Sequence, residues 1–110
     1  MTVFNEAALR ALENALSTKG KWVLAFLSEQ PGKVKKEAIK DGTNIFYKEQ
    51  RDTQELIFNS RKTFDDNIER LEGAALIDCT VDLGRAKMYY LTEGGQEMLK
   101  HLERKGNSND

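Results

Sequence analysis

The sequence predicts an α+β fold that is mainly helical and carries one small β-hairpin. A helix is expected over residues 60–72, because Ser60 can cap the free amides of its first turn and the apolar residues behind it recur at helical spacing. These apolar residues are Phe64, Ile68 and Leu71. Residues 76–91 follow with aromatic and β-branched residues on both sides of a short glycine-containing turn, which indicates a hairpin.

The length and composition predict a single domain. The chain of 110 residues can build one modest core, which we place within residues 1–105, followed by a polar tail over 106–110 that we expect to be disordered. No apolar run reaches the roughly 18 residues of a membrane span. The first residues also lack the basic and apolar regions of a secretory signal. Because the single cysteine, Cys79, has no partner for an internal disulfide, we expect a cytoplasmic protein without a membrane contact.

The charge balance restricts the possible partners. The chain has 17 Lys and Arg residues against 18 Asp and Glu residues, so its formal net charge is −1. Proteins that coat nucleic acid without sequence preference are strongly basic, and the balance argues against that class. A sequence-specific binder with locally concentrated positive charge remains compatible with it.

The N-terminal helix, predicted over residues 5–17, is apolar around much of its circumference. Such a surface is wider than the single stripe of a surface helix, so the helix should bury against two neighbours. One neighbour is expected to be a partner subunit; the alternative is that the chain's own C-terminal helix, predicted from Glu93 to 105, covers it. The residues predicted to form a dimer interface are Leu9, Leu12, Leu16, Met98 and Leu102.

The middle of the chain is predicted to contain three helices before the one at 60–72. A helix over 21–29 ends at a Pro-Gly pair, and a short lysine-rich helix over 34–40 ends before Gly42. The stretch 41–59 is too long for an unstructured loop in a small domain. We therefore predict an additional helix over 45–58, which could also provide a surface for a protein partner.

Two motifs resemble those of a known group of repressors. Residues 89–99, YYLTEGGQEML, are similar to the Y-x-L-T-x-x-G-x-x-x-L pattern that closes the wing and begins the last helix in ArsR-, MarR- and PadR-type repressors. Residues 15–27, ALSTKGKWVLAFL, resemble the opening of the same proteins. The resemblance implies a winged helix-turn-helix with an N-terminal helix, a C-terminal helix and an extra helix inserted before the recognition helix at about 60–72. The hairpin at about 76–91 would be the wing.

The resemblance also implies which residues would contact DNA. The first helix of the motif would lie across the phosphate backbone, the start of the recognition helix would meet base edges, and a wing arginine would enter the minor groove. The matching residues are Lys35, Lys36, Ser60, Arg61, Lys62, Thr63, Asp66, Arg85 and Lys87. The alternative is that the lysines and Arg85 are solvated surface charges. Acidic residues such as Asp65 and Glu69 would repel phosphate unless they point away or accept from cytosine amino groups.

Catalytic chemistry finds no support in the sequence. No nucleophile elbow, P-loop, zinc-protease motif or paired cysteines occur. His101 is the only histidine, and one imidazole without nearby cysteines makes no metal site. We expect no enzyme, no catalytic residue, no cofactor and no metal.

These observations lead to one principal hypothesis and two alternatives. The principal hypothesis is a homodimer that binds double-stranded DNA sequence-specifically on the nucleoid, as a transcriptional repressor or regulator. The same apparatus would serve a plasmid or phage protein of DNA segregation or copy control. An alternative of a different class is a winged-helix protein-interaction module, with 41–59 as its docking surface.

Overall fold

The computed structural model describes residues 4–108, over which the chain forms five helices and a three-stranded sheet. The predicted fold class, mainly helical with a small hairpin, is confirmed. The elements are α1 (Glu6–Ala15), α2 (Thr18–Ser28), β1 (Val34–Lys35), α3 (Lys36–Arg51), α4 (Arg61–Gly73), β2 (Ile77–Val81), β3 (Lys87–Leu91) and α5 (Glu93–Ser108). The last helix continues three residues beyond the predicted end at 105, and positions 109–110 of the predicted tail lie outside the described residues. Within residues 4–108, no helix is both long enough and apolar enough to cross a bilayer.

Polar side chains cap the first turns of four of the described helices, α1, α2, α4 and α5. The Asn5 side chain accepts from the Ala8 amide at the start of α1, at 2.8 Å. Ser17 accepts from the Gly20 amide at 2.9 Å, so α2 begins at Thr18 rather than at the predicted residue 21. Each contact satisfies an amide that has no partner within its helix.

Helix α3 corrects the predicted arrangement of the middle of the chain. It runs without interruption through Gly42, which was expected to end a short helix. The reason is tertiary packing: the ring of Phe26 on α2 lies against Gly42, and a side chain there would overlap it. Glycine therefore permits the close approach of α2 and α3 instead of terminating the helix.

The separate helix predicted over 45–58 is not formed in this fully described stretch. Helix α3 ends where Asp52 adopts a left-handed conformation (φ 48°), and the chain returns to α4 as an irregular segment. The buried side chain of Asn44 fixes that segment, because its Nδ2 donates to the Phe58 carbonyl at 3.2 Å and its Oδ1 accepts from the Phe58 amide at 2.8 Å. Phe58 and Ile57 enter the core as a result, and the insertion consists of a lengthened α3 and an anchored segment.

The sheet has the order β1-β3-β2, and both strand pairs are antiparallel. Strand β1 was not predicted: Val34, expected to begin a helix, pairs with Tyr89, and Lys35 pairs with Met88. Tyr89 is buried and Tyr90 is half-buried, which confirms the predicted alternation along β3.

A single core joins the helices to the sheet. Its buried members come from α1 to α5, from β2 and β3, and from the connections between α3, α4 and β2. They are Leu9, Val23, Leu24, Phe26, Leu27, Ile39, Ile57, Phe58, Phe64, Ile68, Leu71, Leu76, Ile77, Tyr89 and Met98. This core fixes α4 and the hairpin relative to each other.

Candidate nucleic-acid interface

Helix α4 is held so that one side is buried and the other faces solvent. Its inner side consists of Phe64, Ile68 and Leu71, each 1% exposed. The buried Asn67 ties the helix to α2, because its Oδ1 accepts from the Ser17 hydroxyl and its Nδ2 donates to the Thr63 carbonyl at 2.8 Å. The outer side of the first turn is therefore presented on a rigid support.

The first turns of α3 and α4 are joined by four charged side chains, which we call the ion-pair network: Lys36, Glu37, Arg61 and Asp65. Asp65 Oδ1 lies 3.0 Å from Lys36 Nζ and 3.2 Å from Arg61 Nε, and Arg61 Nη1 also contacts Glu37. Lys36 beside Asp65 holds the pKa of that carboxyl below its usual value, and Arg61 adds to this effect. The hydrogen bond from Glu37 raises the pKa of Arg61, with Asp65 adding to it.

The other predicted contacts of α4 lie beside this network. Lys62 Nζ is 3.1 Å from Asp66 Oδ2, so both residues predicted to contact DNA at this point are paired with each other. The Ser60 hydroxyl caps the helix by accepting from the Thr63 amide at 3.3 Å, as the sequence predicted. The partial positive charge of the helix N-terminus thus lies within the basic first turn.

The hairpin ends in a turn that Asp82 organises. Its Oδ1 accepts from the amides of Gly84 and Ala86 at 2.9 and 3.0 Å, and its carbonyl accepts from the Arg85 amide at 2.9 Å. Arg85 adopts a left-handed conformation (φ 64°) and is exposed, as is Lys87 at the start of β3. The turn therefore presents Arg85 from an ordered backbone.

Two of the predicted cations are brought together, since Lys36 and Arg61 share one carboxylate. Lys35 pairs in the sheet with Met88, so the side chains of Lys35 and Lys87 start from opposite faces of the sheet. We use the name basic surface for all six predicted cations: Lys35, Lys36, Arg61, Lys62, Arg85 and Lys87. Sequence reasoning missed Glu37 as the partner of Arg61; only the pairs on α4 itself, four residues apart, could be read from the spacing.

The predicted dimer residues divide into two groups. Leu9 and Met98 are 5% and 0% exposed within the single chain, so they belong to its own core. Leu12, Leu16 and Leu102 are only partly buried at the edge of that core. Leu9 and Met98 are buried in this way because α1 packs on α5 of the same chain, and an interface through Leu12, Leu16 and Leu102 stays a prediction.

His101 and Glu13 form a buried contact between these two helices. His101 Nε2 lies 2.9 Å from Glu13 Oε1, and both side chains are about one-tenth exposed. Sequence reasoning considered His101 only as a metal ligand and missed this contact. The pair binds α5 to α1 across 88 residues of chain.

Cys79 is half-buried beside two carboxylates. Burial raises the pKa of its thiol, and Glu72, whose Oε2 lies 3.8 Å from Sγ, raises it further. With Asp78 these residues place three possible ligand atoms within 4.8 Å of one another. The raised pKa disfavours the thiolate that a metal or a redox reaction requires.

Comparison with solved structures identifies the architecture. A MarR-family transcriptional regulator from Silicibacter pomeroyi is similar with a TM-score of 0.63 at 22% identity, over 89% of this chain and 58% of that one. MepR, a transcription regulator of the Staphylococcus aureus multidrug efflux pump MepA, gives 0.60 at 18%, over 96% and 74%. The adhesin competence repressor AdcR from Streptococcus pyogenes gives 0.55 at 15%, over 99% and 77%. The fold is a winged helix-turn-helix.

This fold assigns a position to each element of the candidate interface. Helices α3 and α4 correspond to the helix-turn-helix of this fold, and β2 with β3 corresponds to the hairpin that follows it. No protein-family model and no curated protein matches the sequence. The chain spans 58% of the length of the Silicibacter regulator, and at these identities the likeness establishes the fold alone.

Proposed function

We propose that this winged helix-turn-helix protein binds double-stranded DNA sequence-specifically as a homodimer on the nucleoid in the cytoplasm and acts as a transcriptional repressor. One observation carries the proposal: the first turns of α3 and α4 place Lys36, Arg61 and Lys62 together at the exposed N-terminus of the recognition helix. The similar structures include two regulators of transcription and one repressor, which supports the same class.

Each part of the basic surface has a distinct role in this proposal. The start of α4 enters the major groove, where Arg61 donates to guanine O6 and N7 and Asp66 accepts from a cytosine amino group. Lys35 and Lys36 contact the phosphate backbone, and Ser60, Lys62 and Thr63 contact phosphates or bases at the helix start. Arg85 enters the minor groove beside the wing, with Lys87 next to it.

A homodimer would place two such surfaces on one duplex. Leu12, Leu16 and Leu102, partly exposed on α1 and α5, are the residues we propose for its interface. Two recognition helices related by twofold symmetry would read half-sites about one helical turn apart. Leu12→Glu is expected to convert the dimer to monomer in sedimentation experiments, because it places a charge in an apolar contact. A variant that still sediments as a dimer would place the interface elsewhere.

Selection from a pool of random duplex DNA at two salt concentrations tests the proposal. We expect an enriched palindrome, with an affinity that falls steeply as salt rises because phosphate contacts release counterions. No enrichment and no binding at low salt would contradict the proposal. The genomic position of the enriched sequence separates repression, with sites at promoters, from plasmid or phage segregation and copy control, with sites at partition or replication loci.

A second candidate function is a protein-interaction module. The observation that favours it is that Ile45 and Leu56 are 58% and 45% exposed and line the same surface depression of about 510 Å³. Both residues lie in the insertion over 41–59. Failure of DNA selection, together with loss of a partner when Ile45 is changed to Lys, would favour this candidate.

A further inference from the structure

The ion-pair network and the Lys62–Asp66 pair beside it cancel the charge that the proposed function requires. Lys36, Arg61 and Lys62 contribute three positive charges, and the three carboxylates that contact them contribute an equal negative charge. These carboxylates belong to Glu37, Asp65 and Asp66. A phosphate that approaches the start of the recognition helix therefore meets cations that are already paired.

We propose that Glu37 and Asp65 are specificity-determining residues, which compete with phosphate for Arg61 and Lys36 and thereby weaken binding to DNA of the wrong sequence. This inference rests on the proposed function, because it assigns a role to residues of the same surface. It differs from a simple loss of positive charge, since the two carboxylates also fix the direction of Arg61.

The competition acts on phosphate contacts. Binding without sequence preference depends on how many phosphates are neutralised, and it weakens when cations are occupied by carboxylates. Lys36 must leave Asp65, which lies 3.0 Å away, before it can contribute fully to such binding. Since Asp65 also holds Arg61, one carboxylate restrains two cations.

Base contacts do not require the same exchange. A guanidinium group has five N–H donors, and the network engages Arg61 through Nε and Nη1. The edge of guanine is uncharged, so Arg61 can donate to it while the two carboxylates remain in place. The network therefore lowers affinity for phosphate more than affinity for the correct base.

The test measures affinity for two duplexes of equal length, the sequence selected by the wild-type protein and a scrambled version. The variants are Glu37→Gln, Asp65→Asn and the double variant, all nearly isosteric. The matched control is Glu69→Gln, which removes one exposed carboxylate from the same helix outside the network. Circular dichroism melting verifies that each variant remains folded.

For the double variant we expect affinity for the scrambled duplex to rise roughly tenfold at low salt, with a log–log salt slope steeper by about 2. Affinity for the selected duplex should rise less, so the ratio of specific to nonspecific binding falls. Glu69→Gln should change that ratio less than either single network variant.

Three results would overturn the inference. An unchanged ratio in the double variant, beside specific binding by the wild-type protein, refutes the inference and leaves the proposed function standing. An equal change in Glu69→Gln assigns the effect to net charge and also refutes it. A folded wild-type protein that binds neither duplex refutes the proposed function, and the inference fails with it.

Discussion

Helix α3 is joined to the chain that follows it at two places, to α4 itself and to the segment just before α4, and the two connections differ in chemistry. At the N-terminal ends of α3 and α4, the ion-pair network joins side chains of which Arg61 and Glu37 are 54% and 65% exposed. At the middle of α3, Asn44 binds the backbone of Phe58, in the segment before α4, inside the core. Exposed ion pairs contribute little to stability, whereas buried hydrogen bonds are costly to remove. The comparison indicates that the buried connection fixes the chain that leads into α4, while the exposed one contributes little to stability and can serve the binding that we propose.

The largest expected effect on stability comes from the buried connection. Asn44→Ala should lower the free energy of unfolding by about 3 kcal/mol, because it leaves a buried amide and a buried carbonyl of Phe58 without partners. Thermal or urea unfolding measures the change. Glu37→Gln, at the exposed connection, is the matched control and should lower it by less than about 0.5 kcal/mol. If the two variants lose the same free energy of unfolding, the buried connection does not stabilise the fold more than the exposed one.

The exposed connection should instead affect binding. Arg61→Ala is expected to weaken specific DNA binding by about 1–3 kcal/mol and to relax one base preference, because it removes a bidentate contact. Its unfolding free energy should stay within about 0.5 kcal/mol of wild type. Repeating the selection with this variant reports the base preference. If the base preference is unchanged at every position of the selected site, Arg61 does not read a base.

A smaller effect on stability is expected where α3 crosses α2. Gly42→Ala should destabilise the protein by about 1–2 kcal/mol, because overlap with the Phe26 ring outweighs the better helix propensity of alanine. The matched control is Gly73→Ala near the end of α4, where a side chain would meet no atom within 4 Å. If both variants are equally stable, the close packing of α2 against α3 does not require glycine at position 42.

The smallest effect concerns pH. Neighbouring cations lower the pKa of Asp65 in the folded state from its ordinary value of 3.8, so its stabilising contribution is present above that pH and is lost as the pH falls further. Because the side chain is one-third exposed, the loss should be a few tenths of a kcal/mol. Asp65→Asn should lack this component when unfolding is compared at about pH 6 and pH 3. If wild type and Asp65→Asn show the same change in unfolding free energy between these two pH values, the ion pairs of Asp65 do not stabilise the fold.

Local patterns predicted the elements that local physics determines. The Ser60 cap and the spacing of Phe64, Ile68 and Leu71 predicted α4, and the turn-flanking residues predicted the hairpin. These features depend on hydrogen bonds and apolar periodicity within short stretches. The winged helix-turn-helix resemblance drew on such stretches, and the fold confirms it.

Features that depend on distant residues could not be predicted in the same way. In the sequence Gly42 indicates the end of a helix. Its actual role depends on Phe26 of the preceding helix, whose ring occupies the space beside it. Nothing in the sequence around Asn44 indicates that its side chain binds the backbone of Phe58. The two-residue strand β1 forms only because β3 lies beside it. Likewise, Ala75 adopts the left-handed conformation after α4 (φ 61°), and its carbonyl accepts from the Thr92 hydroxyl at the far end of the hairpin, at 2.6 Å.

The candidate interface follows the same division. The basic residues and their positions at the helix start were visible in the sequence. So were the acidic residues, which were expected to repel phosphate. The spacing on α4 also indicated the pairs four residues apart, but the pairs with Lys36 and Glu37 could not be predicted, because these two residues approach from another helix. In the structure the acidic residues form ion pairs with the cations. They are therefore part of the proposed binding surface and no longer an argument against DNA binding.

The most direct test is to map where DNA touches the protein. Amide chemical shifts of the labelled protein should be recorded by NMR while the selected duplex is added. We predict that the largest changes fall on residues 35–37, 60–66 and 82–88, with residues 41–59 little affected apart from Asn59. Changes concentrated on residues 41–58, with the start of α4 and the wing unchanged, would contradict the assignment of this surface to DNA.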